Sequence, residues 1–395
     1  MSTVNPDILK WARVTAGLDL ETAARKISLG DARGTSGADR LAALEAGENA
    51  ASPALLKRMA RQYHRPLLTF YMAEAPAPAD IGEDYRTLPD RGDPSNVLLS
   101  TLLRDVKARQ ALVREALEDD EEYNPIDLVG LEAGVRDPSQ LARAIKQSIA
   151  FDRDTFRNKS SIDEAFSYLR NLIEAKGIFV LLAGDCGHWS TAIDVSIFRG
   201  FAIADALAPF IVVNDQDAKS AWSFTLLHEL AHLLIGEGGI SGGLPQGGVE
   251  RLCNDAAAAT LISMVEIERL QITGDSDDVS EIRALANRAK VSRSMIAYQL
   301  YRGGRISTAQ WEGLRDEFRG DWLAHKAREK ERSRQTEGGP NWYVVRRHRL
   351  GAALLAVARQ GMADGSLTPT RAARMLGVKP MNIYPLLAGP PRAFA

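Results

Sequence analysis

The alternation of apolar and polar positions divides the chain into a helical beginning, a short β-rich middle and a long helical remainder. Asn5-Pro6-Asp7 supplies an N-cap, a proline at the first helical position and an acid in the first turn, which predicts a helix running to about Gly17. Asp19 caps a second helix through Ile27, and after a Gly- and Ser-rich loop Ser36-Gly-Ala-Asp39 has the form of a capping box for a third, ending at Gly47. Ser52-Pro53 starts a fourth, with Leu55, Leu56, Met59, Ala60 and Tyr63 at core-facing spacing. Beyond the Ala- and Pro-rich linker Ala73–Ala79 comes a helix from about Asn96 to Leu117, followed by the acidic run Glu118–Glu122, a solvated surface. Helices near Ser139–Phe151 and Ile162–Lys176 precede three β-rich stretches, Ile178–Leu182, Phe198–Ile203 and Phe210–Val213.

Helices dominate afterwards. Ser280–Arg305 reads as two of them around a turn at Val291-Ser292-Arg293, and Trp311–Arg334 as a charged one. Glu337-Gly-Gly-Pro340 breaks the chain before a final helical unit, Tyr343–Leu387. The predicted class is α+β, mainly α: an N-terminal helix-turn-helix bundle, a small-sheet core and a helical C-terminal region. The expected domains are 1–72, a connector 73–127, a core 128–275, a helical extension 276–336 and a C-terminal unit 337–395.

At 395 residues the chain is long enough for several domains, and 45% hydrophobic with 25% charged residues is the balance of a globular protein. The net charge of -2 gives no global pull toward nucleic acid or anionic membrane, so any such contact needs a local patch. Two cysteines, Cys186 and Cys253, form no disulfide framework and fit a reducing compartment. The N-terminus lacks the pattern of a signal peptide, and the apolar stretch Leu226–Ile235 is interrupted by His and Glu and too short for a bilayer. A cytoplasmic protein without a membrane partner is expected.

The chemistry concentrates at His228-Glu229-Leu230-Ala231-His232. Residues four apart share a helix face, so His228 and His232 can offer two imidazoles to one ion, with Glu229 beside them as a base. With six histidines in the chain, chance would produce such a motif roughly 0.005 times. The neighbours are apolar almost all round, so the helix is buried and its polar groups need partners inside, which a metal provides. A catalytic Zn2+ takes three protein ligands and leaves one position for water. Glu250, at the start of a second apolar helix, is the best third ligand; Cys253 competes for the role, though as a small buried apolar residue it has a simpler explanation. Asn254, one turn from Glu250, is placed to accept the free ring N–H of a ligand histidine, and Asp255 could replace it. His188 and Tyr298 are candidate donors to an oxyanion.

These residues resemble the ImmA/IrrE family of metallopeptidases. The likeness runs through Pro209-Phe-Ile-Val-Val-Asn214, Phe224 to Leu234 and Glu250-Arg-Leu-Cys-Asn-Asp-Ala-Ala-Ala. The subgroup with a Cro/repressor-like (XRE) helix-turn-helix ahead of the peptidase is similar at Trp11-Ala-Arg13, Leu44-Glu45-Ala-Gly47-Glu48 and Arg65-Pro66-Leu-Leu-Thr-Phe-Tyr71. Further likeness lies at Asp84-Tyr-Arg86 and Gly339 to Tyr343. The resemblance implies a regulatory zinc peptidase that cleaves a helix-turn-helix repressor and so switches on stress-response or mobile-element genes. It also implies that His228, His232 and Glu250 bind zinc and that Glu229 is the base. In that family the ligand helix usually ends with a proline after an apolar pair, whereas here Leu261-Ile262 is followed by Ser263.

Two residue-level readings bear on partners. About ten residues, Ser28–Gly37, separate the helices that a DNA reader joins by a short turn, and Asp39 to Ala46 offers Arg40 and two acids where base and phosphate contacts want Arg, Lys, Asn or Gln. DNA binding therefore stands beside docking to a repressor or to a second copy in a homodimer. The run Lys326 to Arg334 is interleaved with acids and reads as a solvated face, while Arg346, Arg347 and Arg349 form a denser candidate contact for nucleic acid or a partner. A different class remains open at this point: a DNA-binding regulator or antitoxin-like protein whose metal site is structural or sensory.

Overall fold

The computed structural model of the protein describes residues 4–32, 34–63, 65–75, 94–119, 125–236, 240–241, 248–272, 277–335 and 341–388. The end of the expected linker (76–79), Asp84-Tyr85-Arg86, residues 120–122 of the acidic run and the break at Glu337–Pro340 lie outside them. Two compact units are present. One takes residues 1–105 with 185–193, the other 106–184 with 194–395.

The first unit is built from α1 (Pro6–Val14), α2 (Leu20–Lys26), α3 (Gly37–Glu45), α4 (Pro53–Gln62) and a 3-10 turn, Leu67–Tyr71. Each helix starts at the cap its sequence announces: the side chains of Asn5, Asp19, Ser36 and Ser52 accept from the backbone N–H of Asp7, Thr22, Asp39 and Leu55. At Ser36 the Asp39 carboxylate takes the serine hydroxyl, 2.7 Å away. Ile8, Leu9, Ala12, Leu41, Leu56, Met59 and Phe70 meet in the core, beside a buried two-pronged pair between Arg13 and Glu45 at 2.7 and 2.9 Å.

The second unit takes the later part of α5 (Pro94–Glu118) and continues through α6 (Pro138–Ser148), α7 (Arg153–Arg157) and α8 (Ile162–Glu174) into β1 (Phe179–Leu182), β2 (Gly200–Ile203) and β3 (Phe210–Val213). Next come α9 (Lys219–Ile235), β4 (Ile240–Ser241) and α10 (Gly248–Leu261). The remaining helices are α11 (Met264–Glu268), α12 (Asp277–Ala289), α13 (Arg293–Arg302), α14 (Thr308–Gln335), α15 (Trp342–Leu350), α16 (Ala352–Ala363), α17 (Pro369–Leu376) and α18 (Ile383–Leu387). The class is therefore the expected α+β, mainly α. Among the described residues no helix is long and apolar enough to cross a membrane.

The sheet has the order β1-β3-β2-β4, with β1 parallel to β3 and the other pairs antiparallel. All residues of β1, β2 and β3 are buried, which is why these strands read as continuous apolar runs instead of alternating. Val180, Leu182, Ala202, Ile211 and Val213 join the main core with Leu226, Leu230 and Ala231 of α9, and α9 packs on β2 and β3. Helices α8, α15 and α16 all pack along β1. The junction is fixed by a buried pair: Arg170 bonds Glu174 at 3.2 Å and donates to the carbonyls of Val180 and His348, while Glu174 Oε2 accepts from the N–H of Ala352 at 2.9 Å and so caps α16.

The C-terminal end of α9 is closed by backbone. Gly236, with φ +86°, returns its N–H to His232 and Leu233, and the N–H groups of Gly130 and Glu132 reach the carbonyls of Leu233 and Leu234 at 2.9 and 2.8 Å. A side chain at Gly236 would also press on the Gly130 Cα, 3.1 Å from an added Cβ.

Candidate metal centre

Helix α9 is apolar nearly all round, so its three polar residues in the motif face protein on every side: His228, Glu229 and His232 are 3%, 0% and 2% exposed. The small side chains Cys253, Ala256 and Ala257 let α10 pack closely on α9. That approach brings Glu250, in the first turn of α10, over the two histidines. The Nε2 atoms of His228 and His232 lie 3.1 Å apart, and the Glu250 carboxylate oxygens stand 3.3 Å from the first and 3.2 Å from the second.

These atoms form the one group of three or more His, Cys, Asp or Glu found among the described residues with metal-ligand spacing. Two Nε2 lone pairs facing each other at 3.1 Å repel unless a proton or a cation lies between them. Donors on a tetrahedral ion at about 2.0–2.1 Å stand roughly 3.3 Å apart, so the spacing fits a single ion without rearrangement.

The electrostatics are those of a carboxylate holding two imidazoles. Burial pushes His228 below its ordinary value, against Glu250, and the nearby His232 charge adds to the fall. Burial acts on His232 too but is overcome by Cys253 and Glu250 beside it, which hold its proton well above the usual range. Glu250 would be raised by burial alone; its contacts with His228 and His232 win and keep it well below the carboxylate range. Asn254 sits beside His228 and Cys253 beside His232, close enough to bias their protons, although neither ring Nδ1 is engaged in a hydrogen bond.

The other candidates lie elsewhere. Asp255 pairs with Arg302 of α13 at 3.0 Å. Tyr298 packs against Tyr301 and Trp311, its ring 6.3 and 5.9 Å from theirs. His188 belongs to the first unit, exposed, with Nδ1 2.7 Å from Ser190 Oγ. The basic residues bond to their own chain: Arg40 to the carbonyl of Gly30, Arg346 to those of Leu376 and Gly377, Arg347 to that of Leu386, and Arg349 to Asp215 at 2.7 Å. One close approach was not anticipated, between Gly200 of β2 and the Glu229 carboxylate. Its sequence signal is a lone glycine inside a strand pattern, which marks a place where something comes near the backbone.

Residues 193–301 match the Peptidase M78 family, described as the IrrE N-terminal-like domain. The matched stretch contains β2, β3, α9 and α10 and therefore all three converging donors. That family is metal-dependent and of metallopeptidase type. No curated protein and no solved structure matches the chain.

Proposed function

We propose that the chain is a zinc-dependent endopeptidase in which His228, His232 and Glu250 hold the ion and Glu229 is the general base. The observation that supports it is the convergence of two imidazole nitrogens and one carboxylate, from two helices, beside a fully buried glutamate. Two nitrogens and one carboxylate with a position to spare is the donor set of a hydrolytic zinc, whereas structural zinc is closed by four protein ligands. Bound there, zinc supplies Lewis acidity toward a carbonyl and lowers the pKa of a water toward neutrality. Glu229 takes that water's proton on its carboxylate and passes it to the departing amine. The apolar surroundings on α9 exclude bulk water and so strengthen both steps.

The substrate in this reading is a peptide bond of a protein partner, a helix-turn-helix repressor whose loss releases stress-response or mobile-element genes. Support comes from the likeness of the first four helices to a Cro/repressor-like domain, which would dock such a partner. The engagement of Arg40, Arg346, Arg347 and Arg349 with their own chain favours a protein over DNA as the partner.

The test combines metal analysis with one substitution. Protein purified without chelator should carry one zinc, lost in His228→Ala. Glu229→Gln should keep the zinc and lose about 10²–10⁴-fold in cleavage of a labelled protein substrate. A protein whose effect on transcription is indifferent to Glu229→Gln, with zinc retained, would be a regulator with a structural ion and not this enzyme.

A further inference from the structure

Gly200 opens β2 in the middle of the sheet, paired with Val213 of β3 on one side and Ser241 of β4 on the other. Glycine weakens a strand, because it loses more chain entropy on ordering and brings no side chain to pack. Its backbone does not call for glycine, since Gly200 is not among the positive-φ residues. The reason is the space. A Cβ at this position would lie 2.8 Å from Glu229 Oε1, 2.7 Å from Thr225 Cγ2 and 3.0 Å from the Val212 carbonyl oxygen. Thr225 stands one turn before Glu229 on the same face of α9, and both are buried, so neither can swing into solvent to make room. The strand is pinned from both sides by its ladders and α9 by the core beneath it.

We propose that Gly200 is a positioning residue for the Glu229 carboxylate: the side chain it lacks is the space in which the base lies, and a methyl group there displaces the base while leaving the three donors in place. The inference rests on the reading of Glu229 as the base, but its geometric half, exclusion of a Cβ by that carboxylate, stands apart from any activity. None of the donors is among the three nearest atoms that a Cβ at residue 200 would meet. The expected signature is therefore selective. A base moved by about 1 Å costs on the order of a hundredfold in turnover with little change in substrate binding.

The experiment compares Gly200→Ala in three backgrounds of the full chain: unaltered, Glu229→Ala and Thr225→Ser. Zinc content, the visible spectrum of the cobalt-loaded protein, the melting temperature and cleavage of labelled casein are read in each. Gly200→Ala alone should retain one zinc and an unchanged cobalt spectrum, melt several degrees lower, and lose about a hundredfold in kcat at constant KM. In the Glu229→Ala background the same substitution should cost measurably less in melting temperature, because the obstructing carboxylate is gone while the contacts with Thr225 and the Val212 carbonyl remain. Equal costs in both backgrounds overturn the proposal, as does relief confined to Thr225→Ser, which would make Gly200 a matter of helix packing. If Gly200→Ala alone is insoluble, recovery of folded protein by Glu229→Ala supports the proposal and recovery only by Thr225→Ser overturns it. If the unaltered protein binds zinc yet cleaves nothing, the reading of Glu229 as a base fails, while the comparison of melting temperatures still decides the role of Gly200.

Discussion

Zinc binding to the metal-free protein should release about one proton at about pH 6, and that proton comes from His232. His232 is held above its ordinary value by Cys253 and Glu250, against the effect of burial, so at this pH it is protonated. His228 is pushed below its ordinary value by burial and Glu250 lies far below the carboxylate range, so both hold a proton less firmly than His232 does. A nitrogen ligand must be neutral, so the ion displaces the His232 proton, and affinity should rise about tenfold per pH unit until that value is passed. A zinc-held water with a pKa near 7 adds only about a tenth of a proton at pH 6, which keeps the count interpretable. Calorimetry in two buffers of different ionisation enthalpy gives the number directly. Glu250→Gln removes one of the groups that hold the proton and leaves Cys253, so release should fall while affinity drops. The signs carry over to stability. The raised His232 contributes below about pH 6.5 and loses its contribution as pH rises through its folded value; the lowered Glu250 contributes above about pH 4.3 and loses it as pH falls. The lowered His228 works the other way, costing stability as pH falls below about 6.5, so the metal-free trio is most stabilising near the upper of those limits. A release near zero, with affinity flat from about pH 5.5 to about pH 7, would refute the reasoning.

Three further outcomes follow from the packing. Glu174→Ala should destabilise the second unit by about 3–5 kcal/mol in denaturant unfolding, because Arg170, only 6% exposed, loses its counter-charge and α16 loses its cap; a change below about 1 kcal/mol would show the pair to be dispensable. Gly236→Ala should cost about 1–2 kcal/mol through its φ of +86° alone, and more through contact with Gly130; hydrogen exchange should then quicken at Gly130 and Glu132, and unchanged exchange would count against the backbone clamp. Arg346→Ala should lower the melting temperature, since it removes two bonds that finish α17, and leave affinity for duplex DNA at low salt unchanged; a uniform fall in DNA affinity would restore a phosphate contact there.

The parts of the fold that were legible in the sequence are those set by near neighbours. Asn5, Asp19 and Ser52 cap the helices they precede because a cap needs only the next three residues. The strand Phe210–Val213 was bounded correctly by its apolar run alone. The donors were readable because His228 and His232 are one turn apart and Glu250 opens the next helix. What escaped depended on partners far along the chain. Strand β4 is two residues beside a glycine-rich stretch, too short to carry a period. In sequence Asn254, one turn from Glu250, is preferred with Asp255 as its replacement, and the partner that engages Asp255, Arg302, arrives from α13. Arg346 and Arg347 look like a basic patch because sequence shows their charge and not the carbonyls at 376, 377 and 386 that take it up.

The bond from Glu174 to Ala352 joins residues 178 positions apart, and that distance has a meaning for synthesis. On the ribosome, α8, the strands and the two helices that bear the donors are all made well before the residue that receives the Glu174 carboxylate. Until Ala352 emerges, Arg170 and Glu174 have each other but not the carbonyl of His348 or the N–H groups that finish their bonding, and β1 lacks the α15 and α16 that pack along it. A nascent chain halted between α14 and α15 would therefore already carry His228, His232 and Glu250 on its two helices while β1 still lacked α15 and α16, which makes the last helices the step that covers that strand.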